Sequence, residues 1–404
     1  MTQRSDQQRW ALDTLLANGG FDVLHPGAEF VLTQFGYDAA DFQRVVEPAK
    51  AGIMVRDRFG RVAMEVEQKA QYHINRGPIT AGRRLYHRAS LLYGRAYYSY
   101  YSDDPRRLKY QNSCNRCFEE VISHSNHTME RVNIPFEGKT AYGLFEAPQG
   151  IKAAPCLILV PGMDMFKEDW HQTIETMVLP KGWAAFAIDG PGQGESLTNG
   201  LKVGLDNYES AISKVIDWLI DRPEVDSDNI MLMGVSMGSY WGSRTAARES
   251  RLKAVATMMA CYGSKHIIFD VAQPSYKANF MYMAGYEDEE KFDELASAMI
   301  NDDLYGDISC PILMVTGEYD ELTRLEDTYE VYEMIKAPKE LWVYGEEFHP
   351  IGPSSGEWIL AALDWLQNSV SNPLEAEYSR KIYITPDGRY DEKVGEPPWW
   401  HPPQ

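Results

Sequence analysis

The sequence predicts an α/β fold, in which a mostly parallel, doubly wound sheet follows an N-terminal helical region. Three observations predict it. Short apolar runs alternate with amphipathic helical segments through the middle and the C-terminal half of the chain. Those runs are continuous rather than alternating, as strands covered on both faces are. Ahead of them, residues 1 to about 128 keep a helical spacing.

In the helical region, the stretch from Gln71 to Ser125 carries aromatic and small residues at helical intervals and is broken at Asp103-Asp104-Pro105. Proline cannot continue a helix, so the break predicts an antiparallel helical hairpin. No sustained internal repeat occurs. The period changes near residue 129. "MERVNIPFEGKTAYGLFEAP" alternates apolar and polar residues around Glu137-Gly138-Lys139, which predicts a β-hairpin. The strand candidates that follow are "CLILVPG" (156–162), "WAAFAIDG" (183–190), "IMLMGVS" (230–236), "AVATMMA" (254–260), "PILMVTG" (311–317) and "ELWVYG" (340–345). Amphipathic segments such as "NYESAISKVIDWLIDR" and "WILAALDWLQNSV" separate them. Residues 262–306 form a long insertion between two of these strands, which at a strand's C-terminal end is expected to help build a binding site. The expected organisation is a helical domain over 1–128, a core over 129–370 and an extended tail over 371–404, rich in proline and aromatics.

The chain has 404 residues, 44% of them hydrophobic, enough for a sizeable core. A net charge of −20 argues against nucleic acid and anionic membranes as partners, because phosphate binding needs a basic surface. The charge is uneven: roughly 17 basic against 15 acidic residues up to Glu130, and about −22 beyond it. The N-terminus does not read as a signal peptide, and no window reaches the ~18 apolar residues of a membrane-spanning helix. Five cysteines, an odd and sparse set, predict reduced thiols and a cytoplasmic protein.

The strongest chemical signal is "GVSMG", Gly234 to Gly238, between an apolar strand and the helical "SYWGSRTAARES". A serine in a strand–turn–helix G-x-S-x-G is a nucleophile elbow, and its glycines remove side chains that would clash in the tight turn. The partners of Ser236 are expected in the order acid, then histidine. Asp320 follows one strand in "VTGEYDELT" and His349 follows the next in "YGEEFHPIG". His349 is the expected base and Asp320 the residue that orients it, with Glu318 and Glu346 as less well placed substitutes for the acid. Backbone N–H groups of Met237 and Met163 are the expected oxyanion donors. "DGPGQGES" (189–196) reads as scaffold, its loop tied by Asp189 and Ser196. "CNRC" (114–117) lacks a second pair and reads as helix packing. "HSNH" (124–127) lacks partners and reads as linker. No metal or cofactor is expected.

These landmarks together resemble the α/β-hydrolase fold. With the preceding helical region and "PGMDMFKEDW", the chain is similar over most of its length to the family of bacterial 2,6-dihydroxypseudooxynicotine hydrolase and the fungal hydrolases that shorten heptaketide chains. The resemblance implies cleavage of a carbon–carbon bond next to a ketone, in an aromatic or polyketide-like small molecule, by a homodimer with an N-terminal lid. It implies Ser236 as nucleophile, Asp320 as triad acid and His349 as base. That family also has an acid in the turn after the third core strand. Here the position is Asp164, an aspartate where the bacterial enzyme has the longer glutamate. Asp164 is thus a substrate-positioning candidate, and equally an N-cap for the helix that follows. Tyr86, Tyr93, Tyr97 and Tyr100 either line the substrate cavity or form core. The same triad would serve a carboxylesterase or thioesterase, and the same fold a non-hydrolytic biosynthetic cyclase.

Overall fold

The structure is a computed structural model and describes residues 3–51, 54–272, 274–388 and 390–391. The proline- and tryptophan-rich end of the expected tail, 392–404, lies outside the described residues. The hairpin appears as β1 (Thr128–Phe136) and β2 (Lys139–Ala147), with Phe136 opposite Lys139 across the two-residue turn. All six apolar runs are strands: β3 (Ala154–Val160), β4 (Ala184–Asp189), β5 (Val225–Val235), β6 (Leu252–Met258), β7 (Ile312–Gly317) and β8 (Lys339–Tyr344). Two more follow, β9 (Ser379–Ile384) and β10 (Tyr390–Asp391). The sheet order is β1-β2-β4-β3-β5-β6-β7-β8-β9-β10, parallel from β4 to β9 and antiparallel at both margins.

β9 corrects the reading of 371–404 as an extended tail. "SRKIYI" pairs in parallel with β8, from Lys339 opposite Ser379 to Tyr344 opposite Ile384. Its exposed, charged first half and buried second half hide the strand from a search for apolar runs.

Successive side chains of a strand point to opposite faces, and here both faces are buried. Leu157 and Leu159 of β3 join one core, while Cys156, Ile158 and Val160 join the other. The second core takes the apolar sides of the helices Asn207–Ile220 and Met237–Arg248. The first takes the helix Ser355–Ser371 and the N-terminal helices, including Val55–Arg76, Ile79–Tyr98 and Pro105–Ser123. The N-terminal region therefore has no separate core; it shares one with a face of the sheet. The last two helices form the expected hairpin, with Asp104 capping the second through Arg106 N–H at 2.8 Å.

Tyr86, Tyr93, Tyr97 and Tyr100 are buried, and Tyr86, Tyr93 and Tyr100 donate to Gln71, Glu67 and Asp57 inside the helical region. Three of the four phenols are thus engaged inside the helical region, and Tyr93 also lines a cleft of about 620 Å³ beside Glu67 and Arg116. Cys114 and Cys117 are free and buried within a helix, as expected of packing residues. "HSNH" is not a partnerless linker. His127 Nε2 meets Glu146 at 2.8 Å, and His171 Nδ1 meets the same buried carboxylate at 2.9 Å. Arg83, from the helical hairpin, donates to His171 Nε2 at 3.1 Å, so this network ties the helices to β2. Burial opposes the charge of Glu146, but the two imidazoles outweigh it and hold its carboxyl down at about 2.

Candidate active site

In an open parallel sheet a crevice forms where the strand order reverses, beyond the strands' C-terminal ends. Here the chain runs from β3 to β4 on one side and returns to β5 on the other, so the reversal lies between β3 and β5. Both strands end at the residues of interest.

β5 ends at Val235 and a helix opens at Met237. Ser236 joins them at φ 55° and ψ −123°, a conformation that L-residues avoid. Two glycines make the turn possible. A Cβ at Gly234 would lie 2.1 Å from the Gly238 carbonyl oxygen, and one at Gly238 would lie 2.3 Å from that of Val160. Ser236 N–H donates to Met258 O at 2.9 Å, which fixes the turn to the end of β6.

Ser236 Oγ lies 2.7 Å from His349 Nε2, and His349 Nδ1 lies 2.7 Å from Asp320 Oδ2. The other carboxylate oxygen of Asp320 accepts N–H bonds from Leu322 (2.9 Å) and Thr323 (2.8 Å), which set its orientation. Of the substitutes for the acid, Glu318 is engaged elsewhere: it accepts from Tyr383 OH at 2.7 Å and from Glu346 N–H at 2.9 Å. His349 is buried, which opposes its charged form. Asp320 outweighs that, helped by Glu321 and Asp164, and the imidazole pKa is raised.

Met237 is the first residue of its helix, so its N–H has no intrahelical acceptor. The turn after β3 packs directly on Ser236, since a Cβ on Gly162 would lie 3.2 Å from the serine Cβ. Met163 follows in that turn. Gln193 of "DGPGQGES" holds the turn by donating to Gly162 O at 2.7 Å. The loop itself is tied as expected: Ser196 Oγ donates to Asp189 O at 2.5 Å, and Asp189 accepts from Glu195 N–H at 2.9 Å.

Asp164 does not cap a helix. The helical turn begins at Lys167, with Phe166 as its N-cap, and it is Asp169 that accepts Phe166 N–H at 3.0 Å. Asp164 stands two residues too early. Its side chain remains 41% exposed, 3.4 Å from Arg95, whose guanidinium also donates to the Asp164 carbonyl at 2.7 Å. Arg95 comes from the helix Ile79–Tyr98 and is held by Tyr37 OH at 2.8 Å. One residue earlier, Gly94 lets that helix close on the turn; a Cβ there would meet Phe166 at 2.0 Å. The Asp164 carboxyl favours the protonated forms of His349, Tyr98 and Tyr276.

Sequence reasoning missed Arg95, Gln193, His25 and Tyr276. Gln193 lies inside a motif already singled out for its glycines; a polar side chain there was the available signal. The others are scattered along helices and carry no local pattern. A cleft of about 380 Å³ opens beside Asp320 and Glu321, lined by Gly263, Ile268, Asn301 and Leu322, at the acid end of the hydrogen-bonded chain.

A reversal-point crevice with a strained serine on a strand–turn–helix defines an α/β-hydrolase. The chain belongs to the esterase FrsA-like family, whose profile matches residues 46–286. It is 27% identical over 267 residues to 2,6-dihydropseudooxynicotine hydrolase of Paenarthrobacter nicotinovorans, across 66% of this chain and 71% of that protein. Hydrolase LUC6 of a Fusarium species is 30% identical over 180 residues, so this chain spans 42% of its length. The crystal structure of 2,6-dihydroxy-pseudo-oxynicotine hydrolase shares the fold, with a TM-score of 0.77 at 24% identity, over 87% of this chain and 99% of that one. No helix among the described residues is long and apolar enough to cross a membrane.

Proposed function

We propose that this α/β-hydrolase uses Ser236, His349 and Asp320 as a catalytic triad and cleaves a carbon–carbon bond next to a ketone in an aromatic or polyketide-like substrate. The observation that carries the triad is the hydrogen-bonded chain from Ser236 Oγ through His349 to Asp320. His349 Nε2 takes the serine proton as Oγ attacks the ketone carbon. The alkoxide that forms accepts from the N–H groups of Met237 and Met163, donors whose individual loss typically costs about 10²–10³ in rate. Collapse breaks the carbon–carbon bond, leaving an acyl group on Ser236 and expelling an enolate. The proton on His349 passes to solvent; the freed imidazole then deprotonates a water that attacks the acyl carbon, and the acid leaves as Ser236 regains its proton from His349.

The similarity to a pseudooxynicotine hydrolase supports a ketonic substrate. Asp164, in the turn that packs on Ser236, supports it further, because an ordinary ester needs no second acid beside the oxyanion. Asp164 would accept from a substrate hydroxyl. By the same resemblance the enzyme works on a small molecule as a homodimer, and sedimentation of the purified chain tests the assembly; the five free cysteines support a cytoplasmic location. The bond type is tested with 1-phenyl-1,3-butanedione against p-nitrophenyl acetate. Turnover of the diketone is expected, and fast ester turnover with an inert diketone would sink the carbon–carbon reading in favour of an esterase.

A further inference from the structure

Beside the Ser236 chain lies a second one that also runs hydroxyl, imidazole, carboxylate. His25 Nδ1 is 2.5 Å from Glu321 Oε1, and His25 Nε2 is 2.6 Å from Tyr276 OH. The two imidazoles, His25 and His349, stand 5.7 Å apart between ring centroids. Asp320 and Glu321 are adjacent in sequence, and each holds one of them. Glu321 also accepts the backbone N–H of His349 at 3.0 Å, so the chains are mechanically joined.

His25 sits in the turn before the helix Ala28–Gln34. Gly27 is pressed against the loop that carries His349: a Cβ on Gly352 would lie 2.4 Å from the Gly27 carbonyl oxygen. Tyr276 comes from the helix Pro274–Ala284 of the insertion and stacks on His25 at 5.4 Å. Burial raises the Tyr276 phenol well above its usual value, and Asp164 adds to this, so its hydroxyl keeps its proton. Glu321 is half-buried, which opposes its charge. The bond from His25 and the nearby His349 outweigh that and bring its pKa to about 2.

The triad mechanism uses none of these three side chains. A carbon–carbon hydrolase, unlike one acting on p-nitrophenyl esters, expels a strongly basic enolate that must be protonated or closely hydrogen-bonded. We infer that Tyr276 is a second acid, which donates to the departing enolate oxygen, and that His25 and Glu321 are positioning residues that recharge it. This rests on the carbon–carbon reading above. With His25 protonated on both nitrogens, Nδ1–H donates to Glu321 and Nε2–H to the Tyr276 oxygen, leaving the phenol O–H to point at substrate. When the bond breaks, the electron pair moves onto the enolate oxygen, which takes the Tyr276 proton. Tyr276 takes the Nε2 proton of His25, and His25 becomes neutral. Solvent returns that proton to His25 and accepts the one His349 took from Ser236. The enol leaves and becomes the ketone in solution.

The test measures kcat/KM of Tyr276→Phe and His25→Gln with 1-phenyl-1,3-butanedione and with p-nitrophenyl acetate, whose leaving group needs no proton. The diketone-to-ester ratio is expected to fall about 10–100-fold in each, mainly through kcat, in line with the contribution of general acid catalysis. The double variant is expected to fall no further than Tyr276→Phe alone, because one relay is lost once. Variants are compared only where the thermal melt stays cooperative; Tyr276→Trp and His25→Asn replace any that does not. Equal losses on both substrates would overturn the relay and leave a structural role. A wild-type enzyme inert towards the diketone would overturn the carbon–carbon reading and this inference with it, so the two failures are distinguishable.

Discussion

Two hydroxyl–imidazole–carboxylate chains lie side by side in this molecule, and they are assembled differently. The Ser236–His349–Asp320 chain is built from the ends of β5, β7 and β8, neighbours or near neighbours in one sheet. The Tyr276–His25–Glu321 chain joins the N-terminal region, the insertion and a strand-end loop. The first is held by a rigid scaffold. The second exists only when the helical region and the insertion are both docked on the core. On the proposed mechanism, attack belongs to the scaffold, and the fate of the leaving group belongs to the elements added to it.

Substitutions should separate the two chains by magnitude. Asp320→Asn removes the group that orients His349 and stabilises its charged form, so both ester and diketone turnover should fall by about 10⁴ in kcat, by analogy with other triads. A fall below tenfold would pass the role of the acid to another carboxylate. The relay variants come next, with losses confined to the diketone. Asp164→Asn is expected to lower diketone turnover by about tenfold, the scale of one hydrogen bond to a charged group. Its thermal stability should hardly move, since it caps no helix and its pair with Arg95 is 41% exposed on the acid side, where such pairs are worth about 0–1 kcal/mol. A clear loss of stability with unchanged turnover would contradict that assignment.

The smallest effect concerns pH. His349 must be neutral to act as base, and its pKa is raised. A raised imidazole pKa keeps the ring protonated to higher pH, so kcat/KM should rise with pH through a value above the ordinary ~6.5. Asp164 contributes to the raise, so Asp164→Asn should move this limb to lower pH. A limb that stays put would mean that the Asp164 charge does not reach the base.

What could be read from the sequence follows the same division. Gly234 to Gly238, Asp320 and His349 each follow an apolar run, and a strand's end is a place that sequence can locate. The sheet was legible for the same reason, except at β9, where only the second half is buried, and at the two-residue β10. The Asp164 cap failed because the turn after β3 runs two residues further before the helix starts. His25, Arg95 and Tyr276 were not legible. Their role depends on how helices dock, and separations such as the 251 residues between His25 and Tyr276 leave no local trace. His127 was misread for a related reason, since its partner Glu146 lies on the next strand of the hairpin.

The central claim is that Ser236 carries the acyl group left by carbon–carbon cleavage. The direct measurement is intact-mass spectrometry of the enzyme, acid-quenched during turnover of 1-phenyl-1,3-butanedione, beside Ser236→Ala treated identically. The account predicts a mass increase of one acetyl or benzoyl group, located on the peptide containing Ser236 and missing from the variant. Diketone cleavage by Ser236→Ala at the wild-type rate, with no adduct on either protein, would contradict it.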